Sequence, residues 1–144
     1  MSQDIYPDGN AVTSFVYCTF GSWLTDGDFS KVDGLKDSFQ VVDGPDGRGY
    51  STSVPQRQTL KLTVPSHVDT AKNMHRWKRA VEDGLPGARC AGTIQFCDVA
   101  KKPIVVYELQ DCQCFEAESN DADKRSGNVH EETFQVSYSR LNRL

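Results

Sequence analysis

No apolar run in this sequence approaches the roughly 18 residues needed to cross a membrane, so membrane insertion by this chain is not expected. The opening Met-Ser-Gln-Asp-Ile-Tyr-Pro-Asp has neither the basic segment nor the apolar segment of a Sec leader, so export by that route is not expected either. Positive charge is not in excess. The net charge is −4 and the pI about 5.3, which argues against a general nucleic-acid binder with a basic footprint. Histidine is scarce and scattered at His67, His75 and His130, and no C-x-x-C pair occurs, so a zinc site is a poor reading.

Catalytic sets are missing as well. His130-Glu131-Glu132 lacks the second histidine of a zincin helix. Asp26, Asp28 and Ser30 alternate as in a calcium loop, but Lys31 stands where the sharp turn demands glycine and no glutamate closes the loop. The Gly-rich stretch near residue 45 has no Gly-Lys-Ser/Thr after it and starts no helix, which excludes a phosphate-cradling loop. The expectation is a protein that is not an enzyme and needs no cofactor and no metal.

What is present is cysteine, in an odd number: Cys18, Cys90, Cys97, Cys112 and Cys114. Without a leader, that count favours free thiols made in a reducing cytosol. Cys112 and Cys114, on one strand, would stand about 6.6–7 Å apart with parallel Cβ vectors, so they should not bridge each other. Two readings stay open: free structural thiols, or disulfides between subunits of a particle that leaves the cell.

At 144 residues the chain is most simply one domain. Residues 1–12 are polar and turn-like, and a mobile arm is expected there. Ser14 to Phe20 reads as a first strand, Gly21 to Asp28 as a turn region, and Phe29 to Leu35 as a short strand ending in a Gly turn. Ser38 to Val42 is another strand. It runs into Asp43, Gly44, Pro45, Asp46, Gly47, Arg48, Gly49 and Tyr50, the densest turn segment of the chain and an expected projecting loop.

Thr59 to Val64 alternates cleanly, with Leu60, Leu62 and Val64 inward. Strands are expected over 89–98 and from Ile104 to about Glu118, with a bulge or bend near Gln110 where the apolar phase changes. A polar loop covers 119–128. The last strand, Val129 to Leu141, points Phe134, Val136 and Tyr138 inward and Thr133, Gln135 and Ser137 outward.

The one convincing helix runs from Ser66 to Gly84. Met74, Trp77, Val81 and Ala71 form an apolar stripe at spacings of three and four. Ser66 and Asp69 suggest a capping start, and Gly84 a stop. The other side carries Lys72, His75, Arg76, Lys78 and Arg79, a basic face. A lone amphipathic helix amid strands must cover an open side of a sheet or barrel.

The order of these features resembles the tail-tube proteins of contractile-tailed phages and the related ring protein of type VI secretion. The pattern runs from about residue 13 to the end: a strand like Phe15 to Phe20, Val32-Asp-Gly34-Leu35, the Gly-rich loop, and Thr59-Leu-Lys-Leu-Thr63. Then come the helix with Met74-His-Arg-Trp77, the hairpin ending Ile104-Val-Val-Tyr-Glu-Leu109, and the alternating final strand. Val64-Pro65-Ser66 stands where a glycine is expected, and the cysteine content is high; both depart from the pattern.

The resemblance implies a mainly β protomer, a β-barrel or sandwich with a single amphipathic helix, six of which close a hexameric ring. Rings would stack into the inner tube of a contractile tail, a structural virion component assembled in the host cytoplasm and serving genome delivery. Alternatives are the tube subunit of a contractile injection or type VI secretion apparatus, or a baseplate tube initiator. Implied partners are further copies of itself and the sheath, baseplate and tail-terminator proteins, with genomic DNA passing through the lumen without specific binding. Asp43 to Tyr50 would stack against the next ring, Met74, Trp77 and Val81 would plug the barrel, and Lys72, Arg76 and Arg79 would be candidates for contact with the sheath or a neighbouring subunit.

Overall fold

Small polar residues alternate with apolar ones through most of this chain, and the alternation builds a large antiparallel sheet. A computed structural model describes residues 14–36, 39–55, 57–120 and 130–144; the expected arm at 1–12 and most of the polar loop after Ser119 lie outside these. In chain order the elements are β1 (Phe15–Phe20), β2 (Leu24–Asp28), β3 (Lys31–Asp33), β4 (Phe39–Asp43), β5 (Gly49–Pro55), β6 (Gln58–Pro65), α1 (Asp69–Glu82), β7 (Cys90–Cys97), β8 (Pro103–Ser119), β9 (Glu131–Tyr138) and β10 (Arg140–Arg143). The main sheet has the order β2-β1-β7-β8-β9-β6-β3, with β10 beside β8, while among the described residues β4 and β5 pair only with each other.

Among the described residues the chain is mainly β with one helix, as the patterning requires. Among the same residues the sheet does not close into a barrel. No ladder joins its two edges, β2 and β3, although only Phe29 and Ser30 separate them in the chain. Those two residues span the gap. The Phe29 N–H donates to Val16 O at 3.1 Å and the Ser30 N–H to Thr63 O at 2.9 Å.

Several expected boundaries differ from the observed ones, and in three of them specific contacts account for the difference. Leu24–Asp28 is a strand and not a turn, because Leu24 is buried and the Asp26 N–H finds Thr19 Oγ1 at 3.0 Å. Gly49 and Tyr50 begin β5, so the projecting turn shrinks to Gly44–Arg48. The final strand breaks at Ser139, whose N–H donates to Gln110 O. Before the break β9 lies between β6 and β8; after it β10 pairs the first half of β8.

The bend expected near Gln110 is present. Asp111 has φ +54, and the β7–β8 register slips between Cys90 and Gly92. A second slip falls between Cys114 and Glu116. Two bulges let the long β8 turn from one set of partners to the other.

The helix covers the inner side of this sheet. Ala71, Met74, Trp77 and Ala80 are buried, and Val81 is only partly buried at the margin of the core. The Trp77 ring stacks on Phe20 with centroids 4.7 Å apart, and its Nε1–H donates to Ala88 O at 2.6 Å. Ser66 does not cap this helix. Its N–H still belongs to the sheet, donating to His130 O at 2.9 Å, and Val68 takes the cap position with no side-chain bond. The stop at Gly84 is as expected. With φ +66 it supports the paired bonds Gly84 N–H to Val81 O and Leu85 N–H to Ala80 O, which satisfy the last carbonyls.

Candidate functional site

No three His, Cys, Asp or Glu side chains cluster as metal ligands among the described residues. The features that stand out are surfaces: a projecting hairpin, a basic helix face and an open face of the sheet.

The hairpin β4–β5 pairs Asp43 with Gly49 and Val42 with Tyr50. Its tip closes through Gly44 N–H to Arg48 O at 2.7 Å and Gly47 N–H to Gly44 O at 3.0 Å. Asp46 accepts the Arg48 N–H, and the tip from Pro45 to Gly49 is exposed. The root on the β3 side is fixed by the core. Tyr138, fully buried, places its hydroxyl 2.7 Å from Gly34 O and accepts the Lys36 N–H at 2.8 Å. Gly34 itself has φ +94, and a Cβ there would fall 2.4 Å from Thr59 O, so only glycine fits.

On α1 the basic residues divide into two groups. Lys78 pairs with Glu82 four residues on, Arg79 reaches Glu82 at 3.3 Å, and His75 Nε2 lies 3.0 Å from Glu132 Oε2. Lys72 and Arg76 are exposed and have no ion-pair partner among the described residues. The helix therefore presents Lys72, Arg76 and Arg79 outward, as its periodicity predicts.

The sheet face turned away from the helix carries Thr59, Thr63, Thr133, Gln135 and Ser137 in one register, Thr63 opposite Thr133 and Thr59 opposite Ser137. Thr63 and Thr133 join through their hydroxyls at 3.3 Å. These residues make a polar stretch of that face.

No protein-family model and no curated protein matches the chain. Solved structures do match in three dimensions. A chain of the sheath–tube complex of the extracellular contractile injection system PVC, in its extended state, superposes with TM-score 0.77 at 12% identity, over 100% of this chain and 97% of that one. The chain shares its fold with a chain of that sheath–tube complex. A chain of the anti-feeding prophage tube-terminating cap matches with TM-score 0.70 and 13% identity, covering 97% of this chain and 98% of that one. A type six secretion system protein matches at 0.63 and 13%, covering 90% and 82%.

Within the protomer no two of the five cysteines are joined by a disulfide. Cys18, Cys97, Cys112 and Cys114 are buried in the protomer, and Cys90 is partly buried. Burial raises their pKa values, Cys114 to about 12. They pack as small apolar residues.

One polar cluster of the fold was not legible in the sequence. Asp111, on the β8 bulge, accepts from Arg89 Nη2 and Arg57 Nη1, both at 2.6 Å, and from Arg89 Nε at 2.9 Å. Arg57 Nε also donates to Ser137 Oγ at 2.8 Å. The Arg89 guanidinium first, and then Arg57, hold the Asp111 carboxyl below the usual carboxylate range. The bulge was expected, but nothing in sequence joins it to an arginine 54 residues earlier.

Proposed function

We infer that this chain is a structural tube subunit without enzymatic activity, six copies of which close a ring, with rings stacking into the inner tube of a contractile machine. The observation that carries this reading is the whole-chain superposition on a chain of a sheath–tube complex, covering 100% of this chain and 97% of that one. The open sheet supports it physically. Edges β2 and β3 pair with no further strand among the described residues, and closing a ring around a lumen is a way to cover such edges. In that ring the Asp43–Tyr50 hairpin reaches the next ring, and Lys72, Arg76 and Arg79 meet an acidic surface of the sheath or of a neighbouring copy. Baseplate and terminator proteins are the partners at the tube's two ends.

The cargo separates two versions. In a phage tail, assembled in the host cytoplasm and carried on the virion, the lumen passes genomic DNA without binding it, consistent with a chain of net charge −4. An injection-system tube is the second version, and the similar chain from the sheath–tube complex of a contractile injection system supports it. Electron microscopy of the purified protein at rising concentration tests the common core. Hollow tubes or stacked rings support it; a monomer at every concentration overturns it. Tubes purified from the producing cells, with contents assayed for DNA and protein, separate the two versions.

A further inference from the structure

Cys90 on β7 and Cys112 on β8 stand directly opposite each other in the ladder. Opposed residues of antiparallel strands lie about 4.5–5.5 Å apart at Cα, inside the span a disulfide bridges. Both side chains turn toward the core: Cys112 is fully buried in it, and Cys90 packs against it while remaining partly exposed. Two glycines make room for the sulfurs. A Cβ at Gly21 would stand 3.2 Å from Cys90 Sγ, and one at Gly92 would stand 3.3 Å from Cys112 Sγ. The bulge at Asp111 adjoins the pair, so the backbone on the β8 side has an extra residue with which to adjust.

No other two cysteines share this relation. Cys18 opposes Gly27 and Ile94, Cys97 opposes Phe15 and Pro103, and Cys114 opposes Val136. We propose that Cys90 and Cys112 are a redox-responsive dithiol that closes to an intrachain disulfide, stapling β7 to β8, when the protein meets a disulfide oxidant such as oxidised glutathione. The accessible Cys90 thiolate attacks one sulfur of the oxidant and expels one glutathione thiolate. Cys112, once deprotonated, attacks Cys90 Sγ in the mixed disulfide and expels the second. The chain loses two electrons and two protons, and the oxidant becomes two thiols.

Burial pushes the Cys90 thiol up to about 11 and Cys112 up to about 12. The thiolate fraction is therefore small at neutral pH, which keeps the pair reduced on short exposure and makes closure faster as pH rises. The staple reaches beyond the tube reading and does not depend on it.

The test uses the folded, unassembled chain in glutathione buffers of rising oxidised fraction at about pH 8. Acid-quenched samples are read by intact mass, peptide mapping, nonreducing electrophoresis and thermal melting. The expected result is a chain lighter by two hydrogen atoms, still running as a monomer, with the Cys90 and Cys112 peptides joined. Its melting temperature should rise by about 5–10 °C and return on reduction. Cys90→Ser should abolish the change, while Cys112→Ser should stop at a stable single glutathione adduct. If either variant fails to fold, the wild-type peptide map decides alone. Five intact thiols at every oxidised fraction, a bond joining any other cysteines, or a cross-link between chains would overturn the proposal.

Discussion

The Tyr138 hydroxyl lies 2.7 Å from the carbonyl of Gly34, a residue 104 positions earlier in the chain. It ties the last long strand to the exit of β3, where the chain leaves the sheet toward its hairpin. Tyr138→Phe keeps the ring and removes the hydroxyl, stranding the Lys36 N–H it accepts. The expected cost is about 1–3 kcal/mol in urea unfolding. A loss under about 0.5 kcal/mol would mean that water replaces the hydroxyl.

Trp77 fills the space between helix and sheet, fully buried and bonded through its indole N–H to Ala88 O. Trp77→Ala should cost about 3–5 kcal/mol. Trp77→Phe should cost less, because the stack on Phe20 survives and only the indole bond and part of the volume are lost. Paired urea or thermal melts check the order of the three proteins.

Asp111 predicts an acid limb of stability. Its folded pKa is depressed, chiefly by the bond from Arg89 and then by Arg57. A depressed carboxylate contributes stability that is present above its unfolded pKa of about 3.9 and is lost as pH falls through the folded value. The stability difference between wild type and Asp111→Asn should therefore hold at pH 5 to 7 and shrink below about pH 4. Asparagine also tolerates the φ of +54, so the comparison isolates charge. A difference independent of pH down to 2 would remove the ion-pair account.

Arg76→Glu with Arg79→Glu reverses the outward charge of α1 at exposed positions. The melting temperature should change by only a few degrees, since surface pairs such as Arg79–Glu82 contribute about 0–1 kcal/mol. Tube yield, read by sedimentation and microscopy with the sheath protein present, should drop severalfold. Unchanged yield would return this face to solvent.

Replacing Gly44–Arg48 by a two-residue Asn-Gly turn should leave the protomer folded, because among the described residues β4 and β5 pair only with each other. Ring stacking should fail while single rings persist. Tubes of normal length from this variant would exclude the hairpin tip from inter-ring contact.

Period alone was enough to place β6, α1, most of β9 and the bulge in β8. Leu60, Leu62 and Val64, then Met74 and Trp77, then Phe134, Val136 and Tyr138 each repeat at the spacing of their element, and all are buried. Local turn chemistry placed the Gly84 stop and the hairpin tip for the same reason: each depends on residues within one turn of chain. What failed were boundaries set by distant partners. Ser66 looks like a cap but bonds to His130, and Leu24–Asp28 looks like a turn but is held as a strand by β1.

Only the folded chain decided that the sheet stays open between β2 and β3, that Tyr138 anchors Gly34, and that Asp111 gathers two arginines. It also decided which cysteines meet. Sequence spacing ruled out a Cys112–Cys114 bridge, since neighbours on one strand point the same way at too great a distance. That Cys90 faces Cys112 depends on the β7–β8 register, which a bulge shifts, and register is a property of paired strands and not of either strand alone.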